Sequence, residues 1–216
     1  VTPSDIALSD LERDALTELV NIGVSRAAVA LRKMVGEQVM LSVPSVEVIT
    51  HKAAAAVIGE RESTDLVAVR QDFSGAFSGR ALLIFPQTNS FELVRAVLGP
   101  DASDDEVAAM ETEALAETGN VILNGCLATM ANMLQQSLTM SLPEVTRGDG
   151  KQLLEPPDAI DGAGLVLFLY INFSVRDRDI RGYIAMLMDV PSLIALKILV
   201  GEFIARVMDD DMGQGG

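Results

Sequence analysis

Tryptophan is absent from this 216-residue chain, histidine and cysteine occur once each, and aromatic residues make up only 4% of it. A single cysteine excludes a disulfide framework. Cys126 lies in an apolar helical stretch and reads as a reduced, buried small hydrophobe. His51 and Cys126 stand in different segments, so they offer no nucleophile–base pair, and no ligand spacing marks a metal site of the chain's own. Long apolar runs are also missing: "AGLVLFLYI" and "YIAMLM" are far short of the ~20 residues that a membrane span needs. The N-terminus, "VTPSDIALSDLERD", carries no basic n-region, so the expectation is a cytoplasmic protein without a signal peptide or a membrane partner. Basic side chains are scarce, 16 against 31 acidic ones, which leaves a formal net charge of −15. That surface repels a phosphate backbone, disfavours nucleic acid, and suits a partner that presents a basic face.

What the chain does have is an internal repeat. With 49% hydrophobic residues it can bury a sizeable core, and it reads as one domain over 1–216. Its two units are residues 9–100 and 104–208: laid over 108–202, residues 9–100 place Asp14, Glu18, Asn21 and Pro44 on Glu113, Glu117, Asn120 and Pro143, each at an offset of 99. "DFSG" then matches "NFSV" at an offset of 100, and the strand and helix that follow match at 102 to 103. Each unit reads as helix, strand, short helix, hairpin and helix. "SDLE" opens the first long helix, 9–35, as a capping box, and "EQVMLSVPSVEVI" alternates as one strand marked by Pro44.

In the second unit the long helix is expected over 104–137. The loop "RGDGKQLLEPPDAIDGAG" replaces the short helix, and 209–216 forms a flexible tail. "GDGKQ" lacks phosphate-loop spacing and reads as a turn, while Asp209, Asp210 and Asp211 read as a solvated helix end. Hairpins without regular strand–helix–strand alternation make the fold α+β. Two pseudo-symmetric units are expected to share one mostly antiparallel sheet, with their long helices placed equivalently.

At 100° per residue, Asp14, Glu18, Asn21 and Ser25 form one stripe, opposed by Leu16, Leu19, Val20, Gly23, Ala27, Ala30, Leu31 and Met34. Glu113, Glu117, Asn120 and Asn124 form the equivalent stripe, opposed by Leu115, Ile122, Cys126, Thr129 and Met133. A solvated helix face needs no asparagine, which is a poor interior helix residue, yet both units place one a turn after a glutamate. Asn cannot ionise near neutrality but can hold a water in line with an electrophile. Glu supplies a fixed charge for a partner's Lys or Arg. Together they suggest a helix that enters another protein's phosphoryl site.

The spacing Asp-x3-Glu-x2-Asn-x22-Pro, met without a gap at Asp14, Glu18, Asn21 and Pro44, resembles the signature of the CheC/CheX/FliY family of chemotaxis phosphatases. The two motif copies are similar to the CheC branch rather than to CheX, which carries one. An added C-terminal domain of the FliY type is not expected. The resemblance implies hydrolysis of the aspartyl phosphate of a CheY-like response regulator, with Glu18 and Glu117 docking the regulator's Lys. Asn21 and Asn120 would orient the attacking water, while Asp14, Pro44, Glu113 and Pro143 support the geometry. It further implies no cofactor of the chain's own, Mg²⁺ being supplied in the regulator, and CheD as a further partner. The competing reading is a non-catalytic adaptor that binds CheD or a regulator to modulate receptor modification. Glu113 stands where the family usually has Asp or Ser, and the longer acid is expected to weaken the second site.

Overall fold

The structure is a computed structural model that describes residues 7–36, 38–62, 65–99, 101–155, 165–175 and 178–213. The first unit runs α1 (Asp10–Val35), β1 (Val39–Ser42), β2 (Val46–Thr50), α2 (His51–Arg61), β3 (Leu66–Gly75), β4 (Gly79–Pro86) and α3 (Gln87–Leu98). The second runs α4 (Asp104–Met133), β5 (Leu138–Met140), β6 (Glu144–Gly148), α5 (Gly150–Leu153), β7 (Leu165–Val175), β8 (Arg178–Met188) and α6 (Val190–Gly213).

Ser9 caps α1 as the sequence predicts. Its hydroxyl accepts from the Glu12 amide, and the Glu12 carboxylate accepts from the Ser9 amide at 2.8 Å. Ser103 and Glu106 build the same box at the start of α4. Four boundaries differ from expectation. The strand expected over 37–49 is two strands, because Pro44 has no N–H to give a ladder and breaks it. Helix α4 stops at Met133, and Gln135 turns the chain into β5 with a positive φ of 56°. A four-residue helix, α5, capped by the Asp149 side chain, stands in the segment expected to be only loop; residues 156–164 of that segment lie outside the described residues. Helix α6 runs to Gly213, so 209–213 extend it rather than begin a tail, and 214–216 lie outside the described residues.

All the strands join one antiparallel sheet in the order β1-β7-β8-β4-β3-β5, with β2 beside β7 and β6 beside β3. The two units exchange strands: β1 and β2 of the first pair with β7 of the second, and β5 and β6 of the second pair with β3 of the first. The pseudo-two-fold axis falls between β4 and β8, where Leu82 faces Ala185. Neither half can therefore complete its sheet alone.

Both faces of the central strands are covered, which is why their sequences read as continuous apolar runs. Helices α1, α3, α4 and α6 pack on one face over Val69, Leu83, Leu169 and Ile184, and α2 and α5 cover the other over Ala68, Leu82, Phe168 and Tyr183. The predicted inner stripe of α1 holds except that Ala30 is exposed and Met34 is half-buried, because Val24 and Ala28 turn inward instead. In α4, Met133 is half-buried at the last turn, and Leu115, Ile122, Cys126 and Thr129 are buried. Helices α1 and α4 cross at small residues. A Cβ on Gly23 would lie 2.7 Å from the Cys126 Cα, and one on Gly125 would lie 2.9 Å from the Ala27 Cβ. Burial in this crossing raises the Cys126 thiol pKa to about 12. In native protein, Cys126 is expected to resist a thiol reagent at neutral pH and to react once the chain is unfolded; quantitative labelling in each state checks this.

Candidate active site

Helix α1 and the β1–β2 bend bring one set of motif residues together, and α4 with the β5–β6 bend brings the other. Glu18 and Glu117 are exposed, and neither has an ion-pair partner among the described residues. Asp14 and Glu113 lie one turn earlier, exposed on the same stripes. Asn21 and Asn120 are half-buried at the margin between each stripe and the core, so the asparagines are less outward than their glutamates. The two carboxamides occupy the same place in the repeat, yet their hydrogen bonds are opposite.

Asn21 is latched to its own backbone. Its Nδ2 donates to Thr17 O at 3.1 Å and to Val43 O at 2.8 Å, while Val43 N donates to Asn21 Oδ1 at 2.9 Å. In extended backbone the N–H and C=O of one residue point to the same side, so the carboxamide pairs with Val43 as a neighbouring strand would. A residue before proline is biased to that extended state, which explains why Pro44 follows Asn21 at a fixed distance: it presents Val43. With both Nδ2 hydrogens engaged and one Oδ1 lone pair used, Asn21 has only an acceptor lone pair left.

Asn120 is held the other way. Its Oδ1 accepts from Gln71 Nε2 at 3.0 Å and from Asn124 Nδ2 at 2.7 Å. Gln71 Nε2 also donates to Ser141 O at 2.9 Å. A backbone carbonyl only accepts, so the sense of the chain of bonds is set from Ser141 through Gln71 to Asn120. Both Oδ1 lone pairs are taken. Among the described residues nothing accepts from Asn120 Nδ2, which leaves two donors for a ligand. The approach of α4 to β3 depends on Gly119, since a Cβ there would lie 2.5 Å from the Val69 Cβ. Val69 and Gln71 share the helix-facing side of β3, so the close packing at Val69 brings Asn120 within reach of Gln71.

The bends differ accordingly. In the first, the Val43 side chain is 2% exposed; in the second, Gln71 occupies the space between helix and bend, and Leu142 is 85% exposed beside Pro143. Gln71 itself is 1% exposed, and its Oε1 has no hydrogen-bond partner. An orphaned buried acceptor costs roughly 1–3 kcal/mol.

The family model for the chemotaxis phosphatase CheX matches residues 67–164, a stretch that contains Gln71, Glu117, Asn120 and Pro143. Over 208 residues the chain is 21% identical to the CheY-P phosphatase CheC of Bacillus subtilis, covering 90% of this chain and 96% of that one. It is 26% identical over 140 residues to the flagellar motor switch phosphatase FliY of Bacillus subtilis, 64% of this chain and 36% of that protein. The crystal structure of Thermotoga maritima FliY superposes with a TM-score of 0.72 at 14% identity, over 91% of this chain and 98% of that one. This chain is similar to the CheC/CheX/FliY family of chemotaxis phosphatases. The chain spans about a third of the Bacillus FliY it matches, 36%, and nearly the whole of the CheC. The α+β duplicated fold expected of the family is the one observed.

Two features near the candidate sites were not read from the sequence. Gln71 had a visible signal: in "LVAVRQDF" it takes the buried phase of a strand, where the other repeat has Ile171. Glu111 had none. It is 7% exposed and accepts from Gln87 Nε2 and from Arg147 Nη2, both at 2.7 Å, tying α4 to α3 and β6 one turn before Leu115. Among the described residues no helix is long and apolar enough to cross a membrane.

Proposed function

We propose that this chain accelerates hydrolysis of the aspartyl phosphate on a CheY-like response regulator. The observation that carries the reading is the duplicated pair of an unpaired exposed glutamate and an immobilised asparagine amide on one helix face. Covering a carboxylate without a counter-charge is costly, so docking over Glu18 or Glu117 selects a partner that brings a cation there, and a regulator's active-site Lys meets that need. The amide then sits against the phosphoryl group. It holds a water whose oxygen attacks phosphorus as the P–O bond to the aspartate breaks. The carboxylate is regenerated, inorganic phosphate leaves, and the water's proton passes to phosphate or solvent. Mg²⁺ and Lys of the regulator would neutralise the phosphoryl charge, so what this chain adds is orientation.

The hydrogen-bonding states favour the second site. Two free N–H donors on Asn120 suit a phosphoryl oxygen and the oxygen of a water, whereas Asn21 must break its Val43 latch before it can donate. This ordering runs against the expectation drawn from Glu113, whose carboxylate is exposed on the stripe a turn before Glu117. The test is the decay of an acyl-phosphorylated receiver domain with substoichiometric chain. Acceleration with multiple turnovers is expected. Unchanged decay overturns the reading, and binding without acceleration would favour the adaptor function with CheD or the regulator instead.

A further inference from the structure

The surroundings of Asn120 differ from those of Asn21 at two positions that both touch Asn120: Gln71, on β3 of the first unit, stands where the second unit has Ile171, and Asn124 stands where the first unit has Ser25. Neither side chain is needed for the fold, since the other half has a buried isoleucine, Ile171, and an exposed serine, Ser25, in those slots. Gln71 leaves its own Oε1 buried without a donor, so its presence works against stability. Their shared effect is to fill both lone pairs of Asn120 Oδ1. An amide so held cannot flip, because the flipped form would set its N–H group against the N–H group of Gln71, whose own sense the Ser141 carbonyl fixes.

We propose that Gln71 and Asn124 are positioning residues that lock Asn120 as a donor-only amide and so make the second Glu–Asn pair the more productive one. The inference rests on the phosphatase reading and deepens it: the site is specified by two side chains outside the Asp-x3-Glu-x2-Asn motif. The first pair, lacking both, uses its asparagine to hold the β1–β2 bend.

The test is made in an Asn21→Ala background, so that only the second site turns over, with an acyl-phosphorylated receiver domain as substrate. Gln71→Met keeps length and removes the donor. It is expected to lower kcat about tenfold or more, as losing an oriented hydrogen-bonding group does, with KM unchanged. The thermal midpoint should stay the same or rise, because the orphaned acceptor goes too. Asn124→Ser, placing the residue of the other repeat, should lower kcat in the same direction by less. In an Asn120→Ala background, Gln71→Met should leave the residual rate unchanged. A Gln71→Met protein that is folded and equally fast overturns the proposal, as does a loss confined to KM. A rate loss that only tracks a lower thermal midpoint overturns it as well. If wild-type chain fails to accelerate decay, the phosphatase reading falls first. The lock is then read from the Asn120 side-chain amide signals in ¹⁵N spectra, assigned by their absence in Asn120→Ala. Displacement and averaging of these signals in Gln71→Met supports the lock, and identical signals refute it.

Discussion

Asn120→Ala is expected to remove most of the phosphatase rate, about 10²-fold at the second site, while Asn21→Ala alone costs a few-fold at most. The asymmetry follows from what each amide has left to offer. Asn120 meets a ligand with two uncommitted N–H groups and an oxygen already saturated by Gln71 and Asn124. Asn21 has both N–H groups on carbonyls, and releasing one forfeits a net ~0.5–1.5 kcal/mol before any contact with a phosphoryl group is made. The stability costs should run the other way. Asn21→Ala leaves the Val43 N–H and C=O without their partner and should lower the thermal midpoint, whereas Asn120→Ala cuts no bond to the backbone. Rates of receiver dephosphorylation and melting curves for the two single variants check both halves of the claim.

Gly23→Val is expected to be strongly destabilising, at roughly 3 kcal/mol, the upper end of what overpacking costs. A Cβ on Gly23 would sit 2.7 Å from the Cys126 Cα and 3.0 Å from the Gly125 carbonyl oxygen, both backbone atoms that no rotamer change can move. Helix propensity favours valine over glycine, so a loss of stability at this position measures the crossing and not the helix. Because Cys126 lies in the crossing of α1 and α4, which carry the two proposed sites, prising them apart should also expose it to thiol reagents. Chemical denaturation and labelling of the variant test this. The same substitution at Gly201, where an added Cβ meets nothing within 4 Å, should be tolerated.

Much of this arrangement was legible because local chemistry and the repeat agree. "SDLE" predicts its own capping box, and the offset of 99 carries Glu18 and Asn21 onto Glu117 and Asn120. Two things escaped for physical reasons. Strand exchange between the units was invisible because β1 or β5 could pair with either half's hairpin on pattern alone; only packing decides. The hydrogen-bonding state of each asparagine was invisible because it depends on residues 22 and 49 positions away, Val43 and Gln71. The Asn–Pro spacing was recognised as a motif, and its cause, an extended Val43 presented to the Asn21 amide, emerges only in three dimensions. Gln71 is a polar residue in a buried register, a local inconsistency of the kind that marks working positions.

The most direct measurement compares wild type with the combined Asn21→Ala and Asn120→Ala variant in the turnover of an acyl-phosphorylated receiver domain, at chain concentrations well below the substrate. The account predicts catalytic acceleration by the wild type and a return to the spontaneous rate in the folded double variant. A double variant that still speeds dephosphorylation would contradict it.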